Sequence, residues 1–274
     1  MDQFEIGIDQ EKQIFSLKIN GILLINHSAK TPCIELSHNI ADFKMHPRSV
    51  SNYKLKNKII NRFPLSSFTV LEKTAEGVIL DFNEILRLLI RKNKDLVEFS
   101  IEKLPKFNQK ASKFNRFTLF INADPNEAIY GCGEQFSYLN LRGRSVPMWT
   151  QEPGFAKNHS IYKFFGDLLM GAGGEWWTNY YPHPIFVSSL NYFINIESYA
   201  FAEFDFRNKY QHKLNLNEIP EKIFLGAEKN TPKLLTTMTE YLGRQRPLPA
   251  WILDGAILGI GDGLDKENPH SVVN

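Results

Sequence analysis

The side chains with chemical use concentrate between residues 130 and 184. Tyr130, Gly131, Cys132, Gly133, Glu134, Gln135 and Phe136 are followed by Leu141, Arg142, Gly143 and Trp149, then by Gly173, Gly174, Glu175, Trp176, Trp177, Tyr180, Tyr181 and Pro182. Flat aromatic faces suit the C–H faces of a pyranose, and planar carboxamide and carboxylate groups suit adjacent hydroxyls, so this is the composition of a sugar site. The same residues also have a structural reading, with the aromatics in a core and the glycines as turn punctuation.

Glycoside hydrolysis needs two carboxylates flanking one bond, about 5 Å apart for retention and about 6.5 to 9.5 Å apart for inversion. Glu134, Glu152, Asp167, Glu175 and Asp262 are available, yet no spacing among them makes a pair, and each also reads as a solvated or loop-capping acid. Gly259, Gly261 and Gly263 resemble part of a dinucleotide fingerprint, but Leu264 stands where the third glycine belongs and no helical pattern follows. Asp262, Asp265 and Glu267 do not have a calcium-loop spacing, the histidines form no i, i+4 zinc pair, and there is no G-x-S-x-G elbow. No metal and no cofactor are expected.

The elements that must hold these residues are mostly strands. Phe4, Ile6 and Ile8 alternate with polar residues, and Ile14 to Ile19 alternates again after Gln10, Glu11 and Lys12, which predicts a β-hairpin. A second hairpin is predicted from Leu86, Leu88 and Ile90, a turn at Lys92 to Asp95, and Val97, Phe99 and Ile101. Further strands are expected at Phe117 to Ile121, Ile185 to Val187, Tyr192 to Ile196, Ala200 to Phe206 and Ile223 to Leu225. Such spacing points to a mainly β chain built as an antiparallel β-sandwich.

One helix interrupts this pattern. It is predicted at about 231–242, with Thr231 as N-cap, Pro232 at the first helical position, an apolar face of Leu234, Leu235, Met238, Tyr241 and Leu242, and Gly243 as the stop. Pro247 and Pro249 then mark an extended connection. The boundary is placed here, giving a sandwich over 1–245 and a second region over 246–274. Trp251 to Ile260 is apolar without alternation, which suits a strand buried on both faces, as in a parallel barrel.

Length and composition bound the rest. With 274 residues, 43% hydrophobic, 13% aromatic and only two cysteines, the chain is neither disordered nor a disulfide scaffold. A complete eight-fold barrel takes about 250 residues, so a barrel and an accessory domain do not both fit. The net charge of +2 is scattered, so no footprint of a nucleic-acid or anionic-membrane binder is indicated. No basic start precedes an apolar run and no 18-residue apolar stretch occurs, so a soluble, cytoplasmic protein is expected, with Cys33 and Cys132 as buried reduced thiols.

The strings YGCGEQ from Tyr130, FSYLNLRGRSVPMWTQEPG to Gly154, GGEWWTNYYPHPIFVSS from Gly173 and LGRQRPLPAWILDGAILGIGDG from Leu242 resemble glycoside hydrolase family 31. Within that family the likeness is to bacterial sulfoquinovosidases, and it covers about residues 115 to 263. The resemblance implies a galactose-mutarotase-like N-terminal sandwich followed by the first strand of a truncated catalytic (β/α)8 barrel. It also implies retaining hydrolysis of terminal α-linked sugars by a nucleophilic Asp and an acid/base Asp. Both lie far along the barrel and have no counterpart here, so this chain alone is predicted inactive. What carries over is accessory: Glu134, Gln135, Arg142, Trp149 and Glu152 as residues shaping the carbohydrate pocket, with Glu134 or Arg142 alternatively bracing a domain interface.

Relatives carry a Gln of the sugar site in the first barrel strand, where this sequence has Gly261 followed by Asp262. An acid there is unfavourable beside a sulfonate, which argues against sulfoquinovose as the sugar. Two other readings remain open: a free-standing carbohydrate-binding or structural sandwich, and part of an α-glucosidase or α-xylosidase.

Overall fold

The computed structural model describes residues 4–45, 53–107, 114–154, 157, 160–170 and 173–254. It divides into two compact units, Met1–Met238 and Thr239–Asn274. Alternating sequence becomes antiparallel sheet throughout the first unit. A three-stranded sheet contains β1 (Phe4–Asp9), β2 (Ile14–Ile19) and β3 (Ile22–His27), and the expected first hairpin runs in register from Phe4 opposite Ile19 to Asp9 opposite Ile14.

A six-stranded sheet has the order β12-β15-β16-β10-β4-β5, with β4 (Ile34–Met45), β5 (Tyr53–Pro64), β10 (Arg116–Asn122), β12 (Ser145–Met148), β15 (Ala202–Asp205) and β16 (Gln211–Leu216). An eight-stranded sheet has the order β11-β13-β14-β17-β9-β8-β7-β6. Its strands are β6 (Thr69–Lys73), β7 (Gly77–Phe82), β8 (Leu86–Asn93), β9 (Leu96–Lys103), β11 (Ile129–Gly131), β13 (Ile185–Ser188), β14 (Tyr192–Ile196) and β17 (Lys222–Ala227). The second predicted hairpin is β8-β9, closed between Asn93 and Leu96 with Lys94 at φ 55°.

The six- and eight-stranded sheets face one another as a sandwich. Phe186 of β13 meets Phe204 of β15 edge-on at 6.0 Å and Phe206 at 5.2 Å, so the aromatic core spans both layers. The buried cluster takes Phe117, Leu119, Leu214 and Leu216 from one sheet and Ile90, Phe99, Ile194 and Leu225 from the other. At one end the small sheet stacks on the sandwich through Phe15, His27 and Phe82. Cys33 and Cys132 are buried free thiols, each pushed upward in pKa by burial.

Among the described residues, two helices of more than ten residues precede Gly243: α1 (Ser160–Met170) and α2 (Thr231–Leu242). Helix α2 stands where the sequence predicts it and Gly243 ends it at φ 93°, but its cap differs. Asn230 Oδ1 accepts from the Lys233 amide at 3.0 Å and Asn230 O from Leu234 N at 3.0 Å, so Asn230 is the N-cap and Thr231 is already helical. Thr231 instead donates through its hydroxyl to Asn191 at 2.7 Å. The face is also narrower than expected: Leu234 and Thr237 are buried, while Leu235 and Leu242 are exposed.

Within the second unit the structure corrects one element. Trp251–Asp254 form a helical turn, α3, rather than the start of a strand, and Ile252 N donates to Pro249 O at 3.0 Å. A doubly buried strand needs neighbours to take its backbone hydrogen bonds. Among the described residues no strand pairs with this segment. Residues 255–260 of the expected strand, and Asp262, lie outside the described residues.

Candidate functional site

The YGCG segment is a backbone wedge. Gly131, Cys132 and Gly133 take φ values of 110°, 61° and 98°, and Cys132 N donates to Ile185 O at 2.8 Å. A Cβ on Gly133 would stand 2.2 Å from Tyr181 O, so the glycine is required by close approach as well as by its backbone conformation. Glu134 follows as an exposed side chain whose amide donates to Tyr181 O at 3.2 Å. Gln135 closes its own loop: its Oε1 accepts from Ser137 N and Tyr138 N at 3.1 Å each, and its Nε2 donates to Tyr138 O at 2.6 Å. The Tyr138 ring then carries the Arg144 guanidinium 3.4 Å from its centroid and meets Trp176 edge-on.

Arg142 is committed mainly to the backbone, with one further contact to His212 Nδ1 at 3.4 Å. Its guanidinium donates to the carbonyls of Phe206 (3.0 Å), Asn208 (2.8 Å), Asp124 (2.9 Å) and Lys209 (2.7 Å). The fork of donors on arginine suits such a clamp, which ties the β15–β16 turn to the segment before β11. Glu152 holds the Tyr180 hydroxyl with both oxygens, at 2.7 and 2.8 Å, and that hydrogen bond raises the tyrosine's pKa.

Trp149, just beyond β12, borders a cavity of about 550 Å³. Its ring is set by Phe43 at 5.9 Å and Phe201 at 6.1 Å. Besides strand residues Leu55, Asn57 and Glu203, the cavity is lined by Lys163 and Asp167 of α1 and by Glu175 and Trp177. Segments 151–154 and 174–179 are lashed together here: Gln151 N donates to Asn179 O at 3.0 Å, Thr178 Oγ1 to Pro153 O at 2.9 Å, and Lys157 Nζ to Thr178 O at 2.6 Å. A broader groove of about 1050 Å³ shares Trp149 and is lined by Tyr181, His183, Asn195 and Tyr199.

Of the five predicted pocket residues that are described, Trp149 alone lines the 550 Å³ cavity; Glu134, Gln135, Arg142 and Glu152 do not. Helix α1 supplies what the strand-dominated reading lacks. Its apolar residues Ile161, Phe164, Phe165, Leu168 and Leu169 repeat at helical spacing, a signal legible in the sequence. The usual orientation is inverted, however. Those five are exposed, whereas Lys163 and Asp167 face the cavity and Gly166 is buried.

Residues 22–164 match the glycosyl hydrolase 31 N-terminal galactose mutarotase-like domain. The chain belongs to this glycosyl hydrolase 31 family. The sulfoquinovosidase of Escherichia coli (strain K12) is 31% identical over 260 residues, covering 93% of this chain and 37% of that protein. The sulfoquinovosidase of Agrobacterium fabrum is 37% identical over 153 residues, covering 56% of this chain and 23% of the relative. A family 31 sulfoquinovosidase from E. rectale, solved with an aza-sugar inhibitor, superposes with a TM-score of 0.83 at 35% identity over 93% of this chain and 37% of that one. The glycosyl hydrolase 31 chain described here thus matches between about a quarter and little more than a third of the length of these relatives. Its antiparallel sandwich is the family's N-terminal fold, and no helix among the described residues is long and apolar enough to cross a membrane.

Proposed function

We propose that this chain is the N-terminal part of a retaining α-glycoside hydrolase of the sulfoquinovosidase type, acting on terminal α-linked sugars in the cytoplasm. On this reading the sandwich over 1–245 is the accessory domain, 246–274 opens the catalytic barrel, and the nucleophilic and acid/base carboxylates belong to later barrel residues. The observation that supports it most is the superposition, at 35% identity and over 93% of the chain, on a sulfoquinovosidase that holds an aza-sugar inhibitor. The cavity beside Trp149 supports a part for the sandwich in sugar contact.

The 274-residue chain and the longer reading frame that contains it are to be assayed on aryl α-glycosides, a sulfoquinovoside and a glucoside among them, with product anomers followed by NMR. The longer protein is expected to release the α-anomer first, and the 274-residue chain to show no turnover. Inversion, or no hydrolysis of any α-glycoside by the longer protein, would refute the activity. Turnover by the purified short chain would refute the placement of its catalytic carboxylates.

A further inference from the structure

We propose that the cavity between Trp149, Trp177 and helix α1 binds an uncharged pyranose, with Asp167 as the acceptor for two neighbouring hydroxyls. This rests on the reading of the chain as part of a carbohydrate-active protein, and adds a site and a ligand class to it. The volume of about 550 Å³ lies within the range of small-molecule sites and has room for a pyranose. Two half-buried indoles line it, and Phe43 and Phe201 fix the angle of the Trp149 ring. A pyranose C–H face stacks on such a surface without any charge on the ligand.

Asp167 is the decisive group. Three of the other charged residues around it are paired: Lys163 with Glu175, while Glu203 accepts from Ser145 Oγ at 2.7 Å and lies 3.6 Å from Arg116; the fourth, Lys56, is exposed on the strand side. Asp167 is half-buried and lines the cavity, yet among the described residues it makes no hydrogen bond and no ion pair. A partly desolvated carboxylate gains from donors, and the two oxygens suit a vicinal diol. Gly173 lets its backbone approach this carboxylate closely, since a Cβ there would stand 2.7 Å from Asp167 Oδ1. Three carboxylates, Asp167, Glu175 and Glu203, against the two amines of Lys56 and Lys163 disfavour a sulfonate or carboxylate ligand.

The test is a titration of the purified 274-residue chain with methyl α-D-glucopyranoside and, separately, methyl α-D-glucuronide, read by saturation-transfer NMR and calorimetry. The glucoside is expected to bind and the glucuronide to bind more weakly. Asp167→Asn should weaken the glucoside by about tenfold or more and narrow the preference over the glucuronide. Trp177→Ala should abolish binding while Trp177→Phe retains it, with melting curves confirming that each variant is folded. Absence of glucoside binding to the unaltered chain, tighter binding of the glucuronide, or unchanged affinity in folded Asp167→Asn would overturn the proposal. None of these outcomes alters hydrolysis by the longer protein, so a failure here is separable from a failure of the glycosidase reading.

Discussion

His212 Nε2 and a carboxylate oxygen of Glu127 lie 2.9 Å apart, and neither side chain is exposed to solvent. Glu127 also accepts from Ser188 Oγ at 2.6 Å and Tyr192 Oη at 2.5 Å, so a single carboxylate joins β16 of one sheet to β13 and β14 of the other. Burial alone would raise its pKa, but the His212 hydrogen bond and charge, with Ser188 and Tyr192, outweigh that and hold it below the usual carboxylate value.

Replacing Glu127 by Gln is therefore expected to destabilise the sandwich by about 2–3 kcal/mol at neutral pH. Because the folded pKa is lowered, the stabilisation is present above the unfolded value of 4.5 and lost as pH falls through the folded one. Urea unfolding of both proteins at pH 7 and pH 3 checks this. Equal midpoints at pH 7 would remove the energetic role.

His27 has a different acid dependence. It is fully buried, stacked on Phe15 at 4.7 Å, and burial pushes its pKa from 6.5 down to about 4. The fold favours the neutral ring, so its contribution is complete above pH 6.5 and declines as pH falls toward 4. His27→Gln should remove about 2 kcal/mol of the stability lost between pH 7 and 4.5. Parallel pH–stability curves for the two proteins over that interval would show that His27 does not titrate as stated.

Arg142→Ala is expected to cost about 3 kcal/mol, because four backbone carbonyls lose their donors together. Arg142→Lys should recover only part of this, since one ammonium cannot reproduce the guanidinium fork. A loss of sugar binding with an unchanged melting temperature would place Arg142 in ligand contact instead.

The periodicities that were legible are the local ones. The alternation in Phe4 to Ile19 and in Leu86 to Ile101 specifies both hairpins, and the observed registers are those that keep each apolar row on one face, since a one-residue slip would turn it to the other. Helix α2 was legible for the same reason, although Asn230 rather than Thr231 caps it; both side chains suit an N-cap, and the hydrogen bond to Asn191 draws Thr231 away. The aromatic and carboxylate content around Trp149 was also legible.

Which of these residues border the cavity was not. Gln135 and Arg142 look available in the sequence because their donors and acceptors are not yet assigned, whereas the fold uses them on Tyr138 and on the carbonyls of 206–209. Asp167 looked like one acid among five, and only the helical turn that sets it over Gly173 gives it an address. The inverted face of α1 defeats the rule that apolar stripes point inward.

The sequence by itself determined a β-rich chain, two hairpins, a capped helix and a family, because alternation, turn residues and motif strings act over neighbouring positions. The tertiary structure alone decided that β10 lies between β4 and β16, that Glu127 meets His212 across 85 positions, and that Asp167 rather than Glu152 faces the cavity. Those pairings depend on long-range packing and on which polar groups have already found partners, and neither is written in the spacing of residues along the chain.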